Sequence, residues 1–122
     1  MAKVLVVDDA KFLRVMLRSI LESDAYEVVG EAENGKEAIE LYQKHKPDIV
    51  TMDLTMPVMN GIEAIKELKK IDEHVNVVVC SAVGQKHVVV EAIEAGAKDF
   101  IVKPFNESKV LETVNRVLNR VE

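Results

Sequence analysis

Four short apolar runs in this chain each end in a polar side chain that can bind a metal ion or take part in a reaction. The run at 4–7 precedes Asp8 and Asp9, 49–52 precedes Asp53, 75–80 precedes Ser81, and 100–102 precedes Lys103. Short β-branched runs that alternate with segments of helical period are typical of βα units, which build a parallel sheet. Ligands bind at the carboxyl ends of the strands in such sheets. The sequence therefore predicts three carboxylates, a hydroxyl and an ammonium at one sheet edge.

The alternation of periods predicts five strands and five helices in one α/β domain over residues 1–122. We expect strands near 3–7, 27–32, 48–52, 75–80 and 99–102, and helices near 11–23, 35–45, 61–71, 85–95 and 106–120. In the first helix, an apolar stripe predicts which side chains face the core: Leu13, Met16, Leu17, Ile20 and Leu21. The expected fold is a flavodoxin-like (βα)5 doubly wound parallel sheet with strand order 2-1-3-4-5, whose crevice opens beside Asp8, Asp9 and Asp53.

Composition narrows the possible partners and compartment. The 16 basic and 21 acidic residues give a net charge of −5, so we expect no nucleic acid partner. The single cysteine, Cys80, excludes an intramolecular disulfide, fits a reducing compartment and is expected to pack in the core. No apolar stretch approaches the ~18–20 residues of a membrane span, and the N-terminus resembles no signal peptide. We expect a monomer in the cytoplasm that does not contact the membrane.

The acidic cluster suggests a chemistry. One aspartate at a strand end is often only a helix N-cap, but Asp8, Asp9 and Asp53 together would repel one another unless a cation compensates. Only oxygen ligands are offered, and the histidines at 45, 74 and 87 lack ligand spacing, so Mg²⁺ fits better than zinc or copper. A carboxylate can also attack phosphorus if the developing charge is neutralised, which Mg²⁺ and Lys103 would do, and the Ser81 hydroxyl adds a donor.

Four segments together resemble the receiver domain of two-component response regulators: VLVVDDAKFLR, DIVTMDLTMPVMNGIEAI, VVVCSA and DFIVKPF. The resemblance covers the whole chain and is greatest to the receivers of chemotaxis. It implies that Asp53 is the phosphoacceptor and that Mg²⁺ is held by Asp8, Asp9, Asp53 and the backbone carbonyl of Thr55. It also implies that Lys103 contacts the phosphoryl group and that the peptide bond from Lys103 to Pro104 is cis.

The resemblance also implies a conformational switch. Ser81 would be the hydroxyl that moves toward the phosphate, and Phe100 the aromatic side chain that swings into the space Ser81 leaves. The enteric chemotaxis pattern has tyrosine where this chain has Phe100, so readout there would depend on apolar packing. Thr55 and Val83 would border the path of the water that attacks the aspartyl-phosphate. Neither side chain can orient that water well, so we expect slow to intermediate self-dephosphorylation, in a signalling protein rather than an enzyme.

A surface for partners is expected on the fourth helix. Val88, Val89 and Val90 are consecutive and span about 200° of a helix, so at least one points away from the core. We take Val89 as the contact residue. Phe100 on the fifth strand, with Lys109 and Thr113 on the last helix, completes a face that resembles the one receivers use to bind partners.

The leading interpretation is a switch phosphorylated by a histidine kinase, the chemotaxis kinase CheA, that docks on a motility component. That component would be the bacterial flagellar motor switch or an archaellar adaptor protein. A phosphorelay carrier that passes phosphate to a histidine phosphotransfer domain remains an alternative. A Mg²⁺-dependent aspartyl-phosphate hydrolase of the haloacid dehalogenase type would need a second aspartate where this chain has Thr55. A flavin- or nucleotide-binding module lacks a suitable phosphate-binding loop after the first strand.

Overall fold

Five parallel strands and five helices alternate along the chain in the computed structural model, which describes residues 1–119. The strands are β1 (Ala2–Val7), β2 (Tyr26–Ala32), β3 (Ile49–Asp53), β4 (Val77–Ala82) and β5 (Asp99–Lys103), and the helices are α1 (Lys11–Glu22), α2 (Gly35–His45), α3 (Gly61–Ile71), α4 (Lys86–Ala95) and α5 (Glu107–Val117). The sheet order is β2-β1-β3-β4-β5, with every neighbouring pair parallel. The predicted flavodoxin-like fold and strand order are confirmed.

Two hydrophobic layers cover the two faces of the sheet. Successive strand residues point to opposite faces, so Val4 and Val6 pack with α1 and α5, whereas Leu5 and Val7 pack with α2, α3 and α4. All five residues of β3 are buried, because β3 lies in the middle of the sheet and is covered on both faces. Asp53, the last residue of β3, is therefore held at the centre of the sheet's carboxyl edge.

Some details of the predicted elements are wrong. On α1 the buried positions are Arg14, Leu17 and Leu21, and Met16 is exposed, so the core-facing stripe is rotated from the predicted one. Strand β4 begins at Val77 rather than at residue 75, because the buried Val75 belongs to the preceding turn, where its N–H donates to the Asp72 carbonyl. Helix α5 ends at Val117, before the expected end at residue 120, which itself lies outside the described residues.

None of the helices within residues 1–119 combines the length and apolar character needed to cross a bilayer.

Candidate functional site

Three aspartates meet at the carboxyl edge of the sheet. Asp8 directly follows β1. Strand β3, which lies next to β1 in the sheet, ends at Asp53. Asp8 and Asp53 are buried, whereas Asp9 is exposed, and one carboxylate oxygen of each lies within 4.8 Å of the others. The structure thus brings together the acidic residues that the sequence placed at separate strand ends.

Lys103 connects two of these carboxylates from the far side of the sheet. It is the last residue of β5, and β4 separates its strand from β3. Its Nζ lies 2.9 Å from Asp8 Oδ2 and 3.1 Å from Asp53 Oδ1. Burial disfavours the charged ammonium, but the hydrogen bond to Asp8 and the charges of Asp53 and Asp8 outweigh it, so the pKa of Lys103 is raised. The lysine is the internal counter-charge of the cluster.

One cation does not balance the buried acids. Burial and then the charge of Asp8 raise the pKa of Asp53 to about 6, although Lys103 acts in the opposite direction. An ionised Asp53 therefore sits in unfavourable surroundings that additional positive charge would improve. Three convergent carboxylates with no nitrogen or sulfur ligand fit a hard divalent cation such as Mg²⁺.

The loop after β1 holds Asp8 by both its backbone and its side chain. The Asp8 N–H donates to the Ala32 carbonyl at 3.0 Å, and Asp8 Oδ1 accepts the Ala10 N–H at 2.9 Å. Arg14 Nη1 donates to the Asp8 carbonyl oxygen at 2.7 Å. Arg14 is a residue that the sequence analysis missed. One feature of the sequence could have revealed it. Arg14 precedes Leu17 by three residues and Leu21 by seven, a spacing that places all three on the same, buried face of α1.

The loop between β3 and α3 is fixed at both ends. Asn60 and Glu63 form a capping box at the start of α3, and the Gly61 N–H donates to the Leu54 carbonyl at 3.1 Å. The Gly35 N–H, at the start of α2, donates to the Met59 carbonyl at 3.0 Å. Thr55 is exposed on this loop, two residues beyond Asp53. These contacts hold the loop that carries Thr55 between the end of β3 and the start of α3.

The remaining predicted site residues lie on β4, β5 and the segments after them. Ser81 is buried on β4, where it pairs with Val102, and Val83 is largely exposed in the turn that follows. Phe100 is exposed on β5, and its N–H donates to Asp99 Oδ1 at 2.8 Å. The Lys103–Pro104 peptide bond is cis. Ser81, Phe100 and Lys103 thus occupy neighbouring strands at one side of the sheet.

An apolar groove of about 640 Å³ lies between α4 and β5. Its lining includes Val90 and Ile93 from α4 and Phe100 and Val102 from β5, each of which is exposed. We refer to these four residues as the α4–β5 groove. Ser81 is also one of the residues that line the groove.

Two residues of the expected partner face are buried rather than exposed. The exposed valine of α4 is Val90, because the helix turns Val89 and Ala92 toward the core. Val89 is only 9% exposed, at the bottom of the α4–β5 groove. Thr113 is buried on α5, whereas Lys109 is exposed. Of the predicted set, Phe100 and Lys109 can meet a partner directly.

Comparison with known proteins identifies the family. The model of the response regulator receiver domain family matches residues 4–115. The chain belongs to this family. The chemotaxis protein CheY of Thermotoga maritima is 62% identical over 115 residues, which cover 94% of this chain and 96% of the relative. CheY of Bacillus subtilis is 56% identical over 117 residues, 96% of this chain and 98% of the relative.

A solved structure agrees with this assignment. The CheX–CheY complex of Borrelia burgdorferi with BeF3 and Mg²⁺ superimposes on this receiver with a TM-score of 0.92 at 37% identity, covering 99% of this chain and 90% of the other. This receiver is therefore a CheY-like response regulator of a two-component system, and the resemblance drawn from its motifs is confirmed.

Proposed function

We propose that this receiver takes a phosphoryl group from a histidine kinase onto Asp53 in a Mg²⁺-dependent reaction and then binds a motility protein in chemotaxis. The observation that carries the proposal is the bridge of Lys103 between Asp8 and Asp53, at 2.9 and 3.1 Å, inside a cluster of three carboxylates. A cation at this position can contact the Asp53 carboxylate before transfer and stabilise the negative charge on the phosphoryl oxygens during and after it.

Each residue of the cluster has a part in the transfer. An oxygen of Asp53 forms a bond to phosphorus as the bond from phosphorus to the kinase histidine nitrogen breaks. Asp8, Asp9, Asp53 and the Thr55 carbonyl would hold Mg²⁺, which neutralises charge on the phosphoryl oxygens. The Borrelia relative was crystallised with this ion, which supports magnesium over other hard cations. The kinase in this proposal is CheA-like.

The output depends on residues at the other side of the site. Ser81 turns toward the phosphoryl group, and Phe100 moves from its exposed position toward Ser81, which changes the floor of the α4–β5 groove. The partner is a motor switch or archaellar adaptor protein. The signal ends by slow to intermediate self-dephosphorylation, because Thr55 and Val83 offer no carboxylate or amide to orient the attacking water.

Intact mass measurement tests the transfer. The protein is incubated with phosphoramidate, with and without Mg²⁺, and compared with Asp53→Asn and with Asp24→Asn, an exposed aspartate outside the cluster. We expect one phosphoryl adduct on the wild type and on Asp24→Asn only when Mg²⁺ is present, and none on Asp53→Asn. An adduct that persists on Asp53→Asn would place the phosphoacceptor elsewhere.

A pair of matched valines tests the output surface. Val90 on α4 is 50% exposed and Val15 on α1 is 52% exposed, so both can become aspartate with similar effects on folding. Val90→Asp should weaken binding of the phosphorylated protein to the motor switch protein, whereas Val15→Asp should not, and both should take phosphate from phosphoramidate normally. Equal binding by the two variants would exclude the α4–β5 groove. Rapid transfer of phosphate to a histidine phosphotransfer domain would favour the phosphorelay carrier.

A further inference from the structure

Arg14 is a buried cation on α1 whose contacts run toward the acidic cluster. The residue is only 6% exposed, so its charge requires close partners. Its Nε donates to Glu31 Oε1 at 3.0 Å, and its Nη1 donates to the Asp8 carbonyl oxygen at 2.7 Å. Its Nη2 lies 3.7 Å from Glu33 Oε1. The guanidinium therefore joins the loop after β1 to the end of β2.

The carbonyl that Arg14 holds belongs to the peptide unit between Asp8 and Asp9. Because a peptide unit is planar, fixing its oxygen fixes the orientation of the whole unit. The Asp8 side chain is attached to the Cα at one end of this unit, and the Asp9 side chain to the Cα at the other end. One hydrogen bond from Arg14 thus orients the peptide unit that joins the Cα atoms of Asp8 and Asp9.

The start of α1 offers little else to hold this peptide unit. Ala10 is the N-cap residue and makes no side-chain capping bond. The Ala10 N–H donates to Asp8 Oδ1, which orients the Asp8 side chain but leaves the Asp8 carbonyl to Arg14. Loss of the guanidinium would free the peptide plane while the Asp8 side chain stayed tied to Lys103 and Ala10.

A second arginine, Arg18, shares the Glu31 carboxylate with Arg14. Arg18 Nε donates to Glu31 Oε2 at 2.8 Å, so the Glu31 carboxylate bridges Arg18 and Arg14. Burial opposes ionisation of Glu31, but hydrogen bonds from Arg18 and Arg14 prevail and keep its pKa below the usual value. Arg18 makes its other hydrogen bond with Glu22, away from the acidic cluster.

We propose that Arg14 is a positioning residue for the divalent metal: by holding the peptide unit between Asp8 and Asp9, it presents both carboxylates in the orientation that binds Mg²⁺. The inference rests on the proposed function, because it takes the acidic cluster as the Mg²⁺ site. Groups that orient metal ligands typically contribute 10–100-fold to metal affinity.

Calorimetric titration of the full chain with Mg²⁺, without any phosphodonor, tests the role directly. Arg14→Met removes the bond to the Asp8 carbonyl, and Arg18→Met is the matched control that loses a bond to the same Glu31 carboxylate without touching Asp8. We expect Arg14→Met to bind Mg²⁺ at least about tenfold more weakly and Arg18→Met to remain close to wild type. Equal affinity of Arg14→Met and wild type would overturn the inference.

Arg14→Lys serves if the methionine variant does not fold. Lysine keeps the charge but cannot donate in the fixed fork of a guanidinium to Glu31 and Asp8 together, so Mg²⁺ affinity should still fall. Wild-type affinity in Arg14→Lys would show that charge alone suffices and would also overturn the inference.

The rate of phosphorylation by phosphoramidate separates positioning from general damage to the site. Saturating Mg²⁺ should restore most of the wild-type rate in Arg14→Met, because Asp53 and Lys103 are unchanged. A rate that stays low at saturating Mg²⁺ would contradict a role confined to metal binding. If the wild type itself binds no Mg²⁺, the proposed function fails instead, and the two failures are distinct.

Discussion

Gly61 packs directly against the backbone of Asp53: a β-carbon placed on Gly61 would stand 2.3 Å from the Asp53 carbonyl oxygen. The same β-carbon would lie 2.9 Å from the Cα of Leu54. These are backbone atoms of the central strand and the residue after it, so neither can move aside as a flexible side chain would. The first residue of α3 must lack a side chain for the helix to begin this close to the backbone of Asp53.

Gly61→Ala is therefore expected to lower the free energy of unfolding by about 1–3 kcal/mol, the usual cost of overpacking. Phosphorylation of Asp53 should slow as well, because relief of the clash displaces the β3–α3 loop. Urea unfolding and the rate of adduct formation measure the two effects. Gly30→Ala is the control, since a β-carbon there meets side chains at an ordinary 3.4 Å or more. Similar losses of unfolding free energy in Gly61→Ala and Gly30→Ala would show that the close contact with Asp53 is not the cause.

The carboxyl group of Asp53 should make stability depend on pH when no divalent metal is present. Burial, followed by the charge of Asp8, raises the pKa of Asp53 from 3.8 to about 6 in the folded protein. A carboxyl group whose pKa is higher in the folded than in the unfolded state favours folding while it is protonated. Its contribution is lost as pH rises from the unfolded to the folded pKa, and the full difference is about 3 kcal/mol at ~1.4 kcal/mol per pKa unit.

Asp53→Asn should thus be more stable than the wild type at pH 7.5 in a chelating buffer, and the two should converge near pH 4. Adding Mg²⁺ should narrow the gap by stabilising the wild type. Urea denaturation at the two pH values provides the measurement, with Asp24→Asn as the exposed control. A wild type that equals or exceeds Asp53→Asn in stability at pH 7.5 without metal would refute the assignment of an unfavourable charge.

Val58 has an uncommon backbone conformation. Its φ of 69° lies in the left-handed region, where a β-branched residue is strained, and its side chain is 79% exposed and makes little compensating contact. Asparagine tolerates this region better, so Val58→Asn should raise the free energy of unfolding by about 1 kcal/mol. The control is Val83, which is 80% exposed and does not have a positive φ. Val83→Asn should therefore change the free energy of unfolding little. An equal effect in thermal unfolding would contradict the strain.

Cys80 should be chemically silent in the native protein. Complete burial raises the pKa of its thiol to about 12, and the thiolate is the reactive form. We expect no reaction with Ellman's reagent at pH 8 until urea unfolds the protein, and then one thiol per chain. A Cys80→Ala variant that also carries Ser19→Cys, at an exposed position of α1, should react at once in the native state. Fast native reaction of the wild type would contradict the burial of Cys80.

The sequence predicted the fold and the meeting of the acidic residues because both follow from periodicity. Parallel strands share one carboxyl edge, so polar residues that follow apolar runs meet there without any knowledge of side-chain packing. The positions within helices were harder to predict. Three consecutive valines at 88–90 do not show by themselves which of them faces the core. The contacts of α4 with the sheet determine that Val90 is the exposed one.

Arg14 was missed for a related reason. A charged residue in a helix is ordinarily assigned to the solvent face. Arg14 is buried with partners from outside its own helix, among them Glu31 of β2, whose Oε1 lies 3.0 Å from the Arg14 Nε. Such a partner is close in space and distant in sequence, so no local pattern reveals it. The bridge of Lys103 to both Asp8 and Asp53 is likewise a matter of side-chain reach across the sheet.

The position of Lys103 gives strand β5 two connected duties. Within residues 1–119 the strand lies at the edge of the sheet and pairs with β4 alone. It carries the Lys103 ammonium, which contacts the acidic cluster, three residues after the exposed ring of Phe100. A change of charge at Asp53 would alter the electrostatic attraction on Lys103, at one end of this short strand. Only a few peptide units of a single edge strand therefore separate the acidic cluster from the outer surface at Phe100.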